Sequence, residues 1–565
     1  MKFTPLAENI LKDRYLRPGE TPMDMFNRVA GFIADGEAEE RSKWEKEFFT
    51  VMNNLDFLPN SPCLMNAGTG MPQLAACFVY PIKDDMGSIF ETLKKTAITH
   101  QSGGGTGFSF SNVRPEGYPV RKSGGIATGP VSFMEVYDKA THAVRQGGKR
   151  RGANMGILRV DHPDVDAFIG AKKQEHKLNN FNISVALTNE FMDAVNKDEN
   201  YNLYFPVHGK KRKKKRAQSV FERIAKGAWE NGEPGVIFID KINRANPLKK
   251  IGEIEATNPC GEMPLLPHEA CVLGSVNLSN HVKENKVDWQ KLEHTIKVGV
   301  RFLDNAIDVS DFPFSEIEDM VTSNRKIGLG VMGFASLLLK LEIPYNTPEA
   351  IWLARKIMKF INEKSHETSR NLAKEKGVFP NFYQSNLLKE RRNALTTTIA
   401  PTGTISIIAG TSSGIEPLYS MVAQRRLNDG RVFDMIEPCF EEKLDRLNID
   451  KKEILEKIKE KGSLQKVEAV PESIKNVFVT AMDIEPRIHV LMQAAFQKFV
   501  DNAISKTVNL PEKFTLAGVK EIIKKAYRTG CKGITVYRQH SREQQVLNIV
   551  CDCEGGDDEC SEIDN

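Results

Sequence analysis

No stretch of the sequence is apolar for long enough to cross a bilayer, which takes about 20 residues, so a helical membrane span is not expected. The opening Met1-Lys2-Phe3-Thr4-Pro5-Leu6 lacks the continuous apolar core of a secretory signal. A cytoplasmic protein is expected on both counts. Net charge is nearly absent as well: 78 basic residues against 74 acidic ones leave +4. That balance argues against DNA as the main partner and points to a small polar ligand. Cysteine is sparse, nine in 565 residues. In a reducing compartment such cysteines are seldom structural disulfides and more often catalytic, redox-active or metal-binding. No internal repeat is found.

What is present is a chain long enough for roughly two to four domains, or for one large α/β barrel with additions. Apolar residues make up 40% of it, enough for a sizeable core. Met23, Phe26, Val29, Ala30 and Phe32 fall near helical spacing, and residues 1–58 read as a helical preamble. Glycines then crowd positions 103–152, marking backbone that turns sharply or approaches a ligand. Pro163 opens a helix with Val165, Phe168 and Ile169 on one face. Strand-like runs follow at 203–207 and 235–240. The basic run Lys210 to Arg216 between them reads as a solvated loop rather than a nucleic-acid patch, because the chain is almost neutral. Positions 288–376 read as mainly helical, and 450–461 as a surface helix. Residues 541–565 turn acidic and poor in apolar side chains, the composition of a mobile tail. Strands alternating with helices place the chain in the α/β class, as a sheet or a barrel.

The densest chemistry lies in Asn258-Pro259-Cys260-Gly261-Glu262. Pro259 and Gly261 disfavour a helix and favour a tight loop. Side chains two apart can then share one face, carrying an amide, a thiol and a carboxylate. A thiol serves nucleophilic or one-electron chemistry, and a carboxylate can take a proton from a hydroxyl. A bare Cys-Gly-Glu is more often a turn with one buried cysteine. The five residues together, and the company they keep, favour the chemical reading. That company is Ser61 to Gly68, Leu74 to Phe78 around Cys77, Cys271 to Leu278, Ala400 to Ser406, and Gln493 through Thr507.

Taken in order, these segments resemble the ribonucleotide reductases over roughly residues 20–545. The resemblance implies a ten-stranded α/β barrel (59–540) around a finger loop, after the helical region 1–58 and before a flexible tail, 541–565. It implies a thiyl radical on Cys260, sheltered in a pocket of the barrel and supported by Asn258 and Glu262, with Cys77 and Cys271 closing a disulfide as a ribonucleotide loses its 2′-hydroxyl. Substrate contacts would come from Ser61, Cys63, Ala76, Gly105, Pro259 and Gly261, and from the phosphate loop Pro401, Thr402, Gly403, Thr404 and Ile405. A second site for a deoxynucleoside triphosphate or ATP, which selects the base, would involve Asp84, Ser88, Ile89, Arg114, Val120 and Arg150. Read alone, those charged residues suit surface salt bridges equally well. The loop 146–153 would communicate between the two sites.

Gly530-Cys531-Lys532-Gly533 through Arg538 resembles the adenosylcobalamin-dependent type, and Tyr527 and Tyr537 are not adjacent, as a radical relay from a separate subunit would need. Adenosylcobalamin is therefore the implied cofactor. Two of Cys551, Cys553 and Cys560 would reduce the Cys77–Cys271 disulfide and be recharged by a thioredoxin- or glutaredoxin-like protein. Three cysteines are one ligand short of a zinc site. A monomer or homodimer is expected. Three rivals remain: a catalytic subunit served by a separate radical subunit, a non-catalytic nucleotide-binding regulator, and an NAD-dependent dehydrogenase. The last would rest on Gly328-Leu329-Gly330-Val331-Met332-Gly333, but polar residues 322–326 precede it where a buried strand is needed, so close backbone packing is the reading here.

Overall fold

A computed structural model describes residues 3–541 apart from 121–123, 147–149, 175–176, 205–210, 427–431, 448 and 462. The amino-terminal region is helical, as its apolar spacing predicts: Pro5–Ile10, Pro22–Ala34 and Arg41–Asn53. Thr21 and Asp24 close a reciprocal cap on the second of these, with Pro22 in its first turn. Such a cap contributes about 1 kcal/mol. Met25, Phe26, Val29 and Ile33 turn inward from that helix.

Ten strands form one sheet. In chain order they are β1 (Phe57–Pro59), β2 (Cys77–Pro81), β3 (Gly105–Ser109), β4 (Asn154–Arg159), β5 (Phe181–Leu187), β6 (Gly235–Phe238), β7 (Ala270–Asn277), β8 (Ile327–Met332), β9 (Thr507–Leu510) and β10 (Gly533–Arg538). Strands β2 to β6 run parallel side by side. β7 joins β2 antiparallel, and β10 joins β6 antiparallel. β8 lies parallel to β7, and β9 parallel to β10. The ring closes between β8 and β9 through an irregular segment. Leu329 bridges to Thr397, and Ile399 bridges to Ile504, three residues before β9 begins. The expected ten-stranded barrel is the observed one.

Alternation along the strands produces two cores, as a pleat buried on both faces requires. Phe78, Tyr80, Leu158, Val185, Val236 and Val272 face the larger outer core beneath the helices. Cys77, Val79, Met155, Ile157, Ala186, Ile237, Cys271 and Leu273 face a smaller inner core, shared with Ala256, Met263 and Leu265. A third cluster, including Phe440, Ile454, Ile458 and Phe478, lies apart from both.

Two readings of local structure are corrected. The basic run is not a loop: Lys211–Arg216 is a strand paired antiparallel with Asn200–Tyr204. Ion pairs of Lys215 with Asp166 and of Arg216 with Asp198 offset the mutual repulsion of its charges. The region 288–376 is helical except for β8, which runs through the glycine motif itself. Cβ atoms at Gly328 and Gly330 would fall 2.3 Å from Leu273 Cδ2 and 2.5 Å from the Thr398 carbonyl. Close packing of backbone explains these glycines, as expected.

Candidate active site

The central motif sits on a hairpin inside the barrel. Ala256–Thr257 pairs antiparallel with Pro264–Leu265, and residues 258–263 form the loop between them. The Asn258 side chain closes that loop, its Oδ1 accepting from Met263 N–H at 2.9 Å. Gly261 N–H donates to the Asn258 carbonyl at 3.1 Å, and Gly261 takes φ +82°, a conformation that favours glycine. The sheet grips the loop from several sides. Asn182 Nδ2 on β5 donates to the Pro259 carbonyl at 3.0 Å. Thr398 Oγ1 and Ala503 N–H donate to the Glu262 carbonyl at 2.8 and 3.0 Å. Glycine lets β3 pass beneath: a Cβ on Gly107 would lie 1.7 Å from the Thr257 carbonyl oxygen, and one on Gly105 would lie 2.9 Å from Pro259 Cγ.

This placement sets the loop against the two predicted redox thiols. Cys77 and Cys271 are direct partners in the β2–β7 ladder, and both stand as thiols. Asn258 Nδ2 donates to Cys77 Sγ at 3.1 Å. Burial pushes both thiols well above the ordinary cysteine range, so they keep their protons. After burial, the charge of Glu262 is the next influence on Cys77, and that of Cys260 acts in the same direction. Glu262 is itself buried, which raises its carboxyl to about 7, with hydrogen bonds from Asn258 and from its own backbone pulling the other way. One of its oxygens, Oε2, has no hydrogen-bond partner among the described residues. Cys260, at the tip, is exposed, in contrast to the sheltered thiol expected; Pro259 before it is buried and Gly261 after it half-buried, so the turn projects this side chain out of the packed loop.

The remaining predicted residues fall around this centre or away from it. Ala76 lies between Cys271, to whose carbonyl it donates at 3.1 Å, and Gly105, from which its own carbonyl accepts at 2.8 Å. Ser61 opens a short helix, Ser61–Asn66, and its hydroxyl meets the Tyr15 hydroxyl at 2.7 Å. Cys63 turns into the outer core, away from the inner thiols. Thr402 takes φ +57° and accepts from Gly414 N–H at 2.8 Å, and Pro401 stands just before it. Gly403 is exposed, and Thr404 immediately precedes the one-turn helix that Ile405 begins, making no capping bond with its side chain. Asp84 and Arg114 form a two-oxygen ion pair with each other. Ser88 and Ile89 lie on the helix Met86–Gln101, and Val120 on a small hairpin. The Arg150 side chain and Cys551, Cys553 and Cys560 lie outside the described residues.

Sequence reasoning missed the residues that hold the loop. Asn182 is the one exposed position in the otherwise buried strand β5, and an amide near the start of a mainly apolar strand is the signal that marks it. Thr398 ends a run of three threonines in an apolar stretch. Asp501 was inside a matching segment but carried no role. Its carboxylate accepts from Thr396 N–H at 2.9 Å and His366 Nε2 at 3.0 Å, tying 396–398 to 501–503. His366 and Arg391 keep it well below the ordinary carboxylate range despite burial, which acts the other way and is the largest influence.

Comparison with known proteins agrees with this arrangement. A family profile described as "Ribonucleotide reductase, barrel domain" matches residues 75–392 and 390–537, and one described as "Ribonucleotide reductase, all-alpha domain" matches 1–72. A vitamin B12-dependent ribonucleoside-diphosphate reductase of Thermoplasma acidophilum is 48% identical, over 97% of this chain and 72% of its own. One of Mycobacterium tuberculosis is 44% identical, over 97% and 81%. The solved alpha subunit of the Actinobacillus ureae class Id ribonucleotide reductase superposes with a TM-score of 0.80 at 23% identity, covering 95% of this chain and 97% of that one, a likeness of fold. With barrel, finger loop and opposed thiols in place, the chain belongs to the ribonucleotide reductase family.

Proposed function

We propose that the protein reduces ribonucleoside diphosphates to deoxyribonucleotides by a thiyl-radical mechanism that depends on adenosylcobalamin. The carrying observation is the opposition of Cys77 and Cys271 directly beneath the loop that bears Cys260, with the Asn258 amide on Cys77 Sγ. The cofactor follows the names of the Thermoplasma and Mycobacterium relatives. The site suits it. Cys260 is exposed at the loop tip, and no cluster of three His, Cys, Asp or Glu side chains among the described residues could hold a metal ion. A metal-based radical source must then bring its own ligands, as a corrin does. Bound beside Cys260, adenosylcobalamin would supply the one-electron oxidation of that thiol.

The chain's own groups do the rest. Cys260 takes the 3′ hydrogen of the ribose. Glu262, with an unpartnered oxygen and a carboxyl that ionises near neutral pH, accepts the 3′-hydroxyl proton. The C2′–O bond breaks, and the hydroxyl leaves as water with a proton from the Cys77–Cys271 pair. The two sulfurs join, the hydrogen of the second thiol takes the vacated place on C2′, Glu262 gives its proton back to the 3′ oxygen, and Cys260 returns the 3′ hydrogen. One ribonucleotide and two thiols thus give one deoxyribonucleotide, one water and one disulfide. Because Cys260 is exposed, bound substrate and cofactor complete its shelter from water.

We assign a phosphate role to 402–405, where Thr402 takes φ +57° and Gly403 stands exposed just ahead of the one-turn helix that Ile405 begins. We assign the effector nucleotide to the neighbourhood of the Asp84–Arg114 pair, and recharging of the tail thiols to a thioredoxin- or glutaredoxin-like protein. The test is product formation from a ribonucleoside diphosphate with dithiothreitol, with and without adenosylcobalamin. Deoxynucleotide is expected only with the cofactor. Binding without product would favour the non-catalytic regulator.

A further inference from the structure

Cys271 has charged company on its far side. The β7–β8 ladder pairs Val272 with Ile327, and one residue back it sets Lys326 beside Cys271. The Cys271 thiol lies 3.5 Å from the Lys326 carbonyl. Glu269 stands just before β7, two residues from Cys271. Its carboxylate accepts Lys326 Nζ at 2.6 Å, Leu266 N–H at 2.6 Å and Asn324 Nδ2 at 2.6 Å. The lysine and glutamate side chains are 1% and 2% exposed. A buried ion pair adds little net stability, since the desolvation of both charges offsets their attraction. Its place beside a redox thiol gives it a chemical consequence.

We propose that Glu269, held beside Cys271 by its ion pair with Lys326, works with burial to keep Cys271 a thiol until the moment of oxidation and so tunes the reducing power of the Cys77–Cys271 couple; this rests on the dithiol reading above. In that couple two thiols lose two protons and two electrons as one sulfur–sulfur bond forms, and the electrons replace C2′–O by C2′–H. Burial acts most strongly on Cys271 and raises it. Glu269 adds to the rise, Lys326 opposes it, and Glu262, reaching in from the finger loop, adds a little more. The remaining facing group, Cys77, is itself kept protonated by burial. With Glu269 neutralised, the lysine would draw Cys271 toward thiolate. A stabilised thiolate makes the reduced pair a weaker reductant and leaves no proton for the departing hydroxyl. Glu269 and Lys326 act through Cys271 and are positioning residues.

The experiment is a redox titration of the full chain at fixed ambient potential. The Cys77–Cys271 dithiol-to-disulfide ratio is read by differential alkylation and peptide mass spectrometry across pH 7 to 10. While both thiols keep their protons, that ratio falls about a hundredfold per pH unit, and only about tenfold per unit above the first thiol's ionisation. In the wild type the steep slope is expected to hold across this range, and in Glu269→Gln the change to the shallow slope is expected within it. Glu269→Asp keeps the charge but withdraws it by one methylene, so it moves the slope the same way by less and serves if the glutamine variant does not fold. A slope that stays put in the folded variants, with the disulfide still forming, overturns the proposal. Absence of any Cys77–Cys271 disulfide in the wild type instead overturns the dithiol reading beneath it.

Discussion

Cys77 and Cys271 face each other as partners in an antiparallel ladder although 194 positions (271 − 77) separate them in the chain. Partners in such a ladder have Cα atoms about 4.5–5.5 Å apart, inside the roughly 4.4–6.8 Å that a disulfide spans. A single turnover without external reductant should therefore link these two cysteines or, after exchange, two of the tail cysteines, as peptide mapping would reveal. Cys551→Ser with Cys553→Ser should still form that link once, yet recycle slowly with a protein reductant. Undiminished recycling would remove the tail from the scheme.

Cys260→Ser keeps nearly the same side-chain size on an exposed tip, so neither the fold nor nucleotide affinity should change appreciably. Turnover should fall to background, because a hydroxyl does not replace a thiol in one-electron chemistry. Calorimetric titration with nucleotide and product analysis on the same sample separate the two effects. Measurable turnover in this variant is incompatible with the mechanism.

Gly107→Ala tests the path of the finger loop. The new methyl would lie 1.7 Å from the Thr257 carbonyl, backbone that cannot turn aside as a side chain does. The hairpin must shift, and displacement of a reacting group by about 1 Å can lower turnover by a hundredfold. Overpacking of this kind also costs about 1–3 kcal/mol. A drop in kcat much larger than the change in nucleotide affinity is expected, and unchanged kinetics would mean that the loop is not held where it is described.

How much of this was legible beforehand depended on distance along the chain. Asn258, Cys260 and Glu262 lie within five residues, and their loop follows from Pro259 and Gly261 by local sterics alone. The Cys77–Cys271 contact is long-range; no local rule brings them together, and only the likeness to a family suggested it. β8 escaped because two of its six residues are glycines, which carry no side chain to show the two-residue alternation of a strand. The strand at 211–216 escaped because cations hide that alternation, while the groups that stabilise it, Asp166 and Asp198, lie elsewhere in the sequence. Thr398 and Asn182 hold the loop through backbone carbonyls, so nothing in the loop's own residue types points back to them.

Glu262 connects activity and stability through one ionisation. Burial raises its carboxyl to about 7 in the folded protein, above the 4.5 of a free glutamate side chain. Activity that needs the carboxylate should climb with pH and level off above about 7. Glu262→Gln should remove that limb and lower kcat/KM by about a hundredfold or more. Stability runs the other way. Between pH 4.5 and about 7 the folded state holds a proton that the unfolded state has released, so the wild type loses stability as pH rises through that window and stays lower above it. The glutamine variant carries no such ionisation. It should match the wild type's dependence at low pH and exceed its stability at pH 8 by up to about 3 kcal/mol. Urea titrations at pH 5 and pH 8 measure the difference. A variant that is both inactive and less stable at the higher pH would show that Glu262 is a structural carboxylate, and the proton it was assigned would need another acceptor.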